Sequence, residues 1–225
     1  MAKNGPSAGK DALSGQRAYW ETTFSRRPEM FGESPSEAAR KAAEVFCQAN
    51  KLTILELGAG QGRDTLYFAQ NNFRVCALDY AVSGLAAIRS KAAALGLSES
   101  VSTVCHEIRN PLPFPDSHFD ACYSHMLLCM ALTTAELERL AREVKRVLKS
   151  GGLCIYTVRH TGDAHYKTGI HRGENMYEVG GFIVHFFDRA KVEHLAEGYE
   201  ILEIEEFEEG GMPRRLLRVT MKKTG

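Results

Sequence analysis

Leu52-Thr53-Ile54-Leu55-Glu56-Leu57-Gly58-Ala59-Gly60-Gln61-Gly62 decides how this chain folds. Leu52 to Leu57 is a short apolar run of strand length, and the three alternating glycines after it read as a tight turn. A helix carrying Leu66 and Ala69 follows. Glycine lets the backbone turn sharply and lets a ligand approach the main chain closely, while the first N–H groups of the helix are free to meet an anion.

The next strand is predicted over Phe73 to Leu78, with Asp79 at its carboxyl end. In a doubly wound sheet that end faces the crevice beside the glycine turn, where a carboxylate accepts hydrogen bonds from both hydroxyls of a ribose. Three readings compete: a plain tight turn with a solvated Asp, a dinucleotide site, and an adenosine nucleoside site without a pyrophosphate. The dinucleotide pattern G-x-G-x-x-G fails at its third glycine, where Arg63 stands.

Working outward, helix and strand alternate from residue 35 onward. Ser34-Pro35-Ser36-Glu37 reads as a capping box with proline at the first helical position, and Ala39, Ala42, Ala43 and Phe46 form one apolar helical face. A helix through Leu85, Ile88 and Leu95 ends at Gly96. Strands are predicted over Val101–Cys105, Phe119–Ser124 and Leu153–Val158. Thr133 and Glu136 form a capping box for a helix ended by Gly151-Gly152. After a helix over Asp188–Ala196, Tyr199–Phe207 and Leu216–Met221 read as a terminal hairpin. The pattern predicts an α/β fold: a doubly wound, mostly parallel seven-stranded sheet with a C-terminal antiparallel hairpin and helices on both faces.

Four stretches resemble class I, Rossmann-like S-adenosylmethionine-dependent methyltransferases. Glu56-Leu57-Gly58-Ala59-Gly60-Gln61-Gly62 is similar to that family's first motif, E/D-x-G-x-G-x-G, and Asp79 matches its ribose-binding acid. Asn110 to Asp120 resembles its LPFPDxSFD stretch. Arg146 to Gly152 resembles its RVLKPGG turn, with Ser150 where proline is usual. The resemblance runs from about Ser34 to Lys222. It implies S-adenosyl-L-methionine as cofactor, held by Glu56, Gly58, Gly60, Gly62, Asp79, Tyr80 and Ser124. The adenine-contacting acid is usually an Asp; here Glu107, preceded by His106, holds the nearest position, with Ile108 packing on the ring. Arg63 either pairs with the cofactor's methionine carboxylate or is an exposed helical arginine. Ahead of the core, Tyr19-Trp20 and Phe24 resemble the aromatic N-terminal helix of the tellurite-resistance and thiopurine branch. Trp20 then either covers the cofactor or anchors that helix.

The chain has 225 residues, 44% of them hydrophobic, with 28 Lys+Arg against 28 Asp+Glu. One domain over 12–225 is expected, with a disordered tail over 1–11, an N-terminal helical cap over 12–33 and a candidate substrate loop over 161–187. Balanced charge weighs against RNA as a partner. No long apolar run or export signal is seen, which predicts a cytoplasmic protein without a membrane partner. The six scattered cysteines read as buried thiols.

The expected partner is a small-molecule methyl acceptor. Ser124-His125-Met126-Leu127 stands where an amino-methylating enzyme of this family carries N/D-P-P-Y/F, which disfavours amide and nucleobase nitrogen. Sulfur, oxygen or a metalloid centre stays open. Methylation of a protein or RNA, and a non-catalytic cofactor-binding regulator, are the alternatives. Acceptor residues in this fold come from the ends of the fourth and fifth strands, here His125, Arg159 and His160. Four of the eight histidines fall between His160 and His185, in a segment that also holds Arg172, Glu174 and Tyr177. An acceptor-gripping lid, a metal site and a solvated loop compete there. Spacings of five and six residues match no standard zinc pattern on one helix, so no metal is expected.

Overall fold

In the computed structural model, residues 15–210 and 214–225 are described. The expected disordered tail lies outside them, as do the first three residues of the expected cap. Helices run over Gln16–Arg26 (α1), Glu37–Gln48 (α2), Arg63–Gln70 (α3), Val82–Ala94 (α4), Thr134–Val147 (α5) and Arg189–Leu195 (α6). Strands are Thr53–Leu57 (β1), Arg74–Asp79 (β2), Val101–Cys105 (β3), Phe119–His125 (β4), Leu148–Arg159 (β5), Ile170–His171 (β6), Met176–Val179 (β7), Phe182–His185 (β8), Tyr199–Glu209 (β9) and Arg214–Lys223 (β10).

Seven strands form the main sheet in the order β3-β2-β1-β4-β5-β10-β9, with the first five parallel and the last two antiparallel. The predicted sheet and hairpin are therefore present. Strand order reverses between β1 and β4, which opens a crevice beyond their carboxyl ends. β1 is buried almost throughout because helices cover both faces: Ile54 and Leu55 are fully enclosed and Leu57 nearly so. One core layer gathers around Ala42, Phe46, Phe68 and Tyr123 on one side of the sheet. The other gathers Leu57, Leu137, Leu140, Val144 and Val192 beneath α5 and α6.

Local details differ from expectation in instructive ways. Ser36, not Ser34, caps α2, accepting from the Ala39 N–H, so Pro35 lies outside the helix. The Ser36 hydroxyl also donates to Asp64 at 2.8 Å. A buried carboxylate in the next helix therefore decides which serine caps. The Thr133–Glu136 capping box forms as expected. Gly151-Gly152 falls inside the irregular start of β5, and α5 already ends at Val147. Cys122, Cys129 and Cys154 are buried thiols, whereas Cys47 and Cys105 are exposed. The expected loop over 161–187 contains a second, three-stranded antiparallel sheet in the order β6-β7-β8.

Candidate active site

The turn after β1 is built around one carboxylate. Asp79 Oδ2 accepts from the Gly60 N–H at 2.9 Å, and Oδ1 accepts from the Ala81 N–H at 2.8 Å. The acid thus fixes the glycine turn to the start of α4. Burial pushes the Asp79 carboxyl above its ordinary range, and the backbone donors oppose that rise. Gly62 has φ +86°, and a Cβ there would sit 2.5 Å from Ile88. A Cβ on Gly84 would lie 2.3 Å from the Gly60 carbonyl oxygen, so only glycine lets α4 come so close to the turn. Gly84 escaped the sequence reading because the contact joins two different helix–strand units.

Glu56 is buried beside this turn and accepts from the Thr65 hydroxyl at 2.5 Å. Burial, with Asp64 next, holds its carboxyl well above the usual range. The Gln61 amide donates to the Phe24 and Arg27 carbonyls at 3.2 and 2.8 Å and accepts from the Met30 N–H at 2.9 Å. Gln61 thereby staples the chain after α1 across the turn. Glu21 of α1 accepts from the Ser83 N–H at the start of α4, at 3.1 Å.

Beyond the turn lies a cavity of about 530 Å³. Its floor is made by Gly58, Gly60, Gly62, Asp79 and Tyr80, with Glu56 and Arg63 beside them. His106 and Ile108, after β3, line the same end, and the buried His106 Nε2 has no hydrogen-bond partner among the described residues. The cavity is also lined by Phe182, Val184 and Phe186 from the small-sheet segment and by Met126 and Met130 after β4. Trp20 lines the cavity as well, its ring centroid 5.3 Å from Phe24 and 5.5 Å from Phe182.

His125 and Arg159 both line this cavity. His125 Nδ1 lies 2.9 Å from the Thr157 hydroxyl, and Nε2 lies 3.2 Å from Glu209. Arg159 is buried and forks onto Asp163, with Nε and Nη2 donating at 3.0 and 2.5 Å. Asp163 also accepts from the His165 and Arg215 N–H groups. Its burial alone would raise its carboxyl, but Arg159 and the backbone donors outweigh that and hold it below its usual range.

Three expected site residues do not line the cavity. Ser124 precedes His125 on β4, and successive strand side chains point to opposite faces. Its hydroxyl donates instead to the Leu57 carbonyl at 3.2 Å. His160 follows Arg159 and turns away for the same reason; its Nδ1 accepts from the Gly162 N–H at 3.1 Å. The Glu107 carboxylate is drawn aside to Arg109, 3.1 Å away, leaving its neighbours His106 and Ile108 at the wall. Within 161–187, Arg172 pairs with Glu178, Glu174 accepts from the Thr134 N–H, and His171 bonds the Glu174 carbonyl. These side chains hold the small sheet together and are not cavity-lining. The stretch before β4 proves structural as well. Arg146 donates to the Leu112 and Phe114 carbonyls and to Asp116, tying the loop to α5. Among the described residues no cluster of His, Cys, Asp or Glu could hold a metal ion.

Residues 54–152 match a family described as a methyltransferase domain. Phosphoethanolamine N-methyltransferase 3 of Arabidopsis thaliana is 33% identical over 105 residues, 46% of this chain and 21% of that protein. The matched stretch thus covers about a fifth of the length of such relatives. The 1,6-didemethyltoxoflavin-N1-methyltransferase of Burkholderia thailandensis, solved with its acceptor and S-adenosylhomocysteine, has a similar fold. Its TM-score is 0.73 at 18% identity, covering all of this chain and 93% of that one. TehB of Haemophilus influenzae superposes with TM-score 0.67 at 16% identity, covering 91% of this chain and 67% of that one. Residues 54–152 thus carry the pattern of a methyltransferase domain, and the glycine turn, buried Asp79 and 3-2-1-4-5 parallel sheet give the chain the Rossmann-like fold of the solved S-adenosylmethionine-dependent methyltransferases.

Proposed function

We propose that this protein transfers a methyl group from S-adenosylmethionine to a small-molecule acceptor. One observation carries the reading: the buried Asp79 carboxylate and the glycine turn line the same cavity as the apolar side chains Met126, Met130, Phe182, Val184 and Phe186. A nucleoside fits beside the turn. Asp79 suits the ribose hydroxyls, and His106, with its free Nε2 beside Ile108, suits an adenine edge. Arg63 at the start of α3 suits the methionine carboxylate, although its Nη1 is also committed to the Phe31 carbonyl at 3.1 Å. S-Adenosylmethionine supplies, when bound, a methyl group on a sulfonium that is already a good leaving group.

The chain's own task is therefore orientation and exclusion of water. Trp20 and Phe24 from α1 and Phe182 from β8 pack together and line the cavity, so α1 and the small sheet share one aromatic wall. Gln61 and Glu21 fix the helix that carries Trp20. Met126, Met130, Val184 and Phe186 give part of the cavity wall an apolar surface. The names of the relatives and of the fold neighbour, which act on phosphoethanolamine and a toxoflavin precursor, support an acceptor of small-molecule size. No helix among the described residues is long and apolar enough to cross a membrane.

Calorimetry tests the reading. S-Adenosylhomocysteine should bind with a dissociation constant at least tenfold below that of NAD, because Arg63 occupies the place of the third dinucleotide glycine. Tighter binding of NAD would overturn it.

A further inference from the structure

The acceptor end of the cavity contains a carboxylate that no family motif accounts for. Glu209 is the last residue of β9, and it lines the cavity from the hairpin side. Its Oε2 is 3.2 Å from His125 Nε2 and its Oε1 is 3.9 Å from Arg63 Nη2. Arg214, across the hairpin, lines the same wall. Burial acts to raise the Glu209 carboxyl, but His125, then Arg63 and Arg214, outweigh it and keep it below its usual range. The group is thus ionised at neutral pH.

Arg159 also lines the cavity, and by itself it would call for an anionic acceptor. Its fork is already filled by the buried Asp163, so the pair presents no net charge to the chamber. What remains is the Glu209 carboxylate, held by His125 and facing Arg63 and Arg214, in a cavity that Trp20, Phe31 and Phe182 also line. Ring faces and a carboxylate together favour positive charge. We infer that the acceptor is an amine, and that Glu209 determines this specificity by facing the nitrogen that receives the methyl group.

The charge flow agrees with that assignment, which rests on reading the cavity as a methyl-transfer site. An amine that enters as an ammonium ion first gives up one proton to water; the freed nitrogen lone pair then forms the new carbon–nitrogen bond as the carbon–sulfur bond breaks, and the bonding pair goes to sulfur. Positive charge moves from sulfur to nitrogen, and the product leaves as a methylammonium ion with no proton transferred in the step. A fixed carboxylate beside the nitrogen stabilises charge that develops there, and it repels a thiolate or phenolate.

The test uses the full chain with S-adenosylmethionine and matched acceptors: phenethylamine, 2-phenylethanol and 2-phenylethanethiol, with ethanolamine and phosphoethanolamine as smaller amines. Methylation should be confined to amines. Glu209→Gln should lower kcat/KM for the amine roughly tenfold to a hundredfold, the worth of one charged contact. It should also shift the amine-to-thiol ratio toward the thiol, which a merely structural role would not do. The affinity of Glu209→Gln for S-adenosylhomocysteine should stay within about twofold of the unmodified protein's, a margin near 0.4 kcal/mol. A second readout is calorimetric binding of phenethylamine to the S-adenosylhomocysteine complex, which should weaken in Glu209→Gln. Turnover of the thiol or alcohol but of no amine, turnover of nothing, or unchanged amine turnover in Glu209→Gln each overturns the amine assignment. If S-adenosylhomocysteine itself does not bind, the methyl-transfer reading falls first.

Discussion

The two ends of the cavity are built by different means. The part proposed for the nucleoside comes from consecutive strand–turn–helix units, and its decisive contacts join backbone N–H groups to a single carboxylate, Asp79. The part proposed for the acceptor is assembled from α1, the end of β4, the segment after β5 and the tip of the last hairpin. Its contacts are side chain to side chain, such as Trp20 on Phe182, Arg159 on Asp163 and His125 beside Glu209. A backbone-built site tolerates few sequences and is shared widely. One made of distant side chains can change its ligand without disturbing the first.

That contrast predicts which changes cost stability and which cost binding. The largest effect is expected at Arg159→Ala, which strands the buried Asp163 carboxylate. Removing one partner of a buried ion pair costs about 3–5 kcal/mol. Melting temperature should fall by roughly 10 °C, at 2–4 °C per kcal/mol for a chain this long. Arg159→Lys, which keeps the charge and loses the fork, should recover only part of that loss. Affinity for S-adenosylhomocysteine, measured below the transition, should barely change. A variant of normal melting temperature would mean that the Arg159–Asp163 pair does not hold this half together.

A smaller effect is expected on pH. His185, on β8, is fully enclosed, with Nδ1 donating to the Leu132 carbonyl at 2.7 Å and Nε2 accepting from Lys191 at 2.8 Å. Burial holds its pKa below the ordinary 6.5. The unfolded chain therefore takes up a proton at higher pH than the folded one, so stability is fully present above about 6.5 and is lost as pH falls below it. Thermal melts between pH 7.5 and 5.5 should show a decline that His185→Gln flattens. An equal decline in both proteins would place the titrating group elsewhere.

The same contrast explains what could be read from the sequence. The glycine turn, Asp79 and the Thr133 capping box depend on residues close along the chain, and each stands where the pattern puts it. Ser124, His160 and Glu107 do not line the cavity, while a neighbour of each does. Strand alternation selects one face at each strand end, and Arg109 decides where Glu107 turns. Glu209, Gly84 and Gln61 carried no local signal, because each meets a residue far away in the chain: His125, Gly60 and Phe24. The three short strands between 170 and 185 sit in a polar, glycine-rich stretch without strict alternation, which concealed the second sheet.

The most direct test sets Asp79 against the acceptor wall. Titration of S-adenosylhomocysteine into Asp79→Ala should show affinity lower by about 3 kcal/mol, roughly a hundredfold, since two ribose hydroxyls lose a charged acceptor. The same titration into Phe182→Ala should stay within about threefold of the unmodified protein, a difference near 0.7 kcal/mol. A folded Asp79→Ala protein with unchanged affinity, or a Phe182→Ala protein that loses as much, would contradict the division of this cavity into a nucleoside end and an acceptor end.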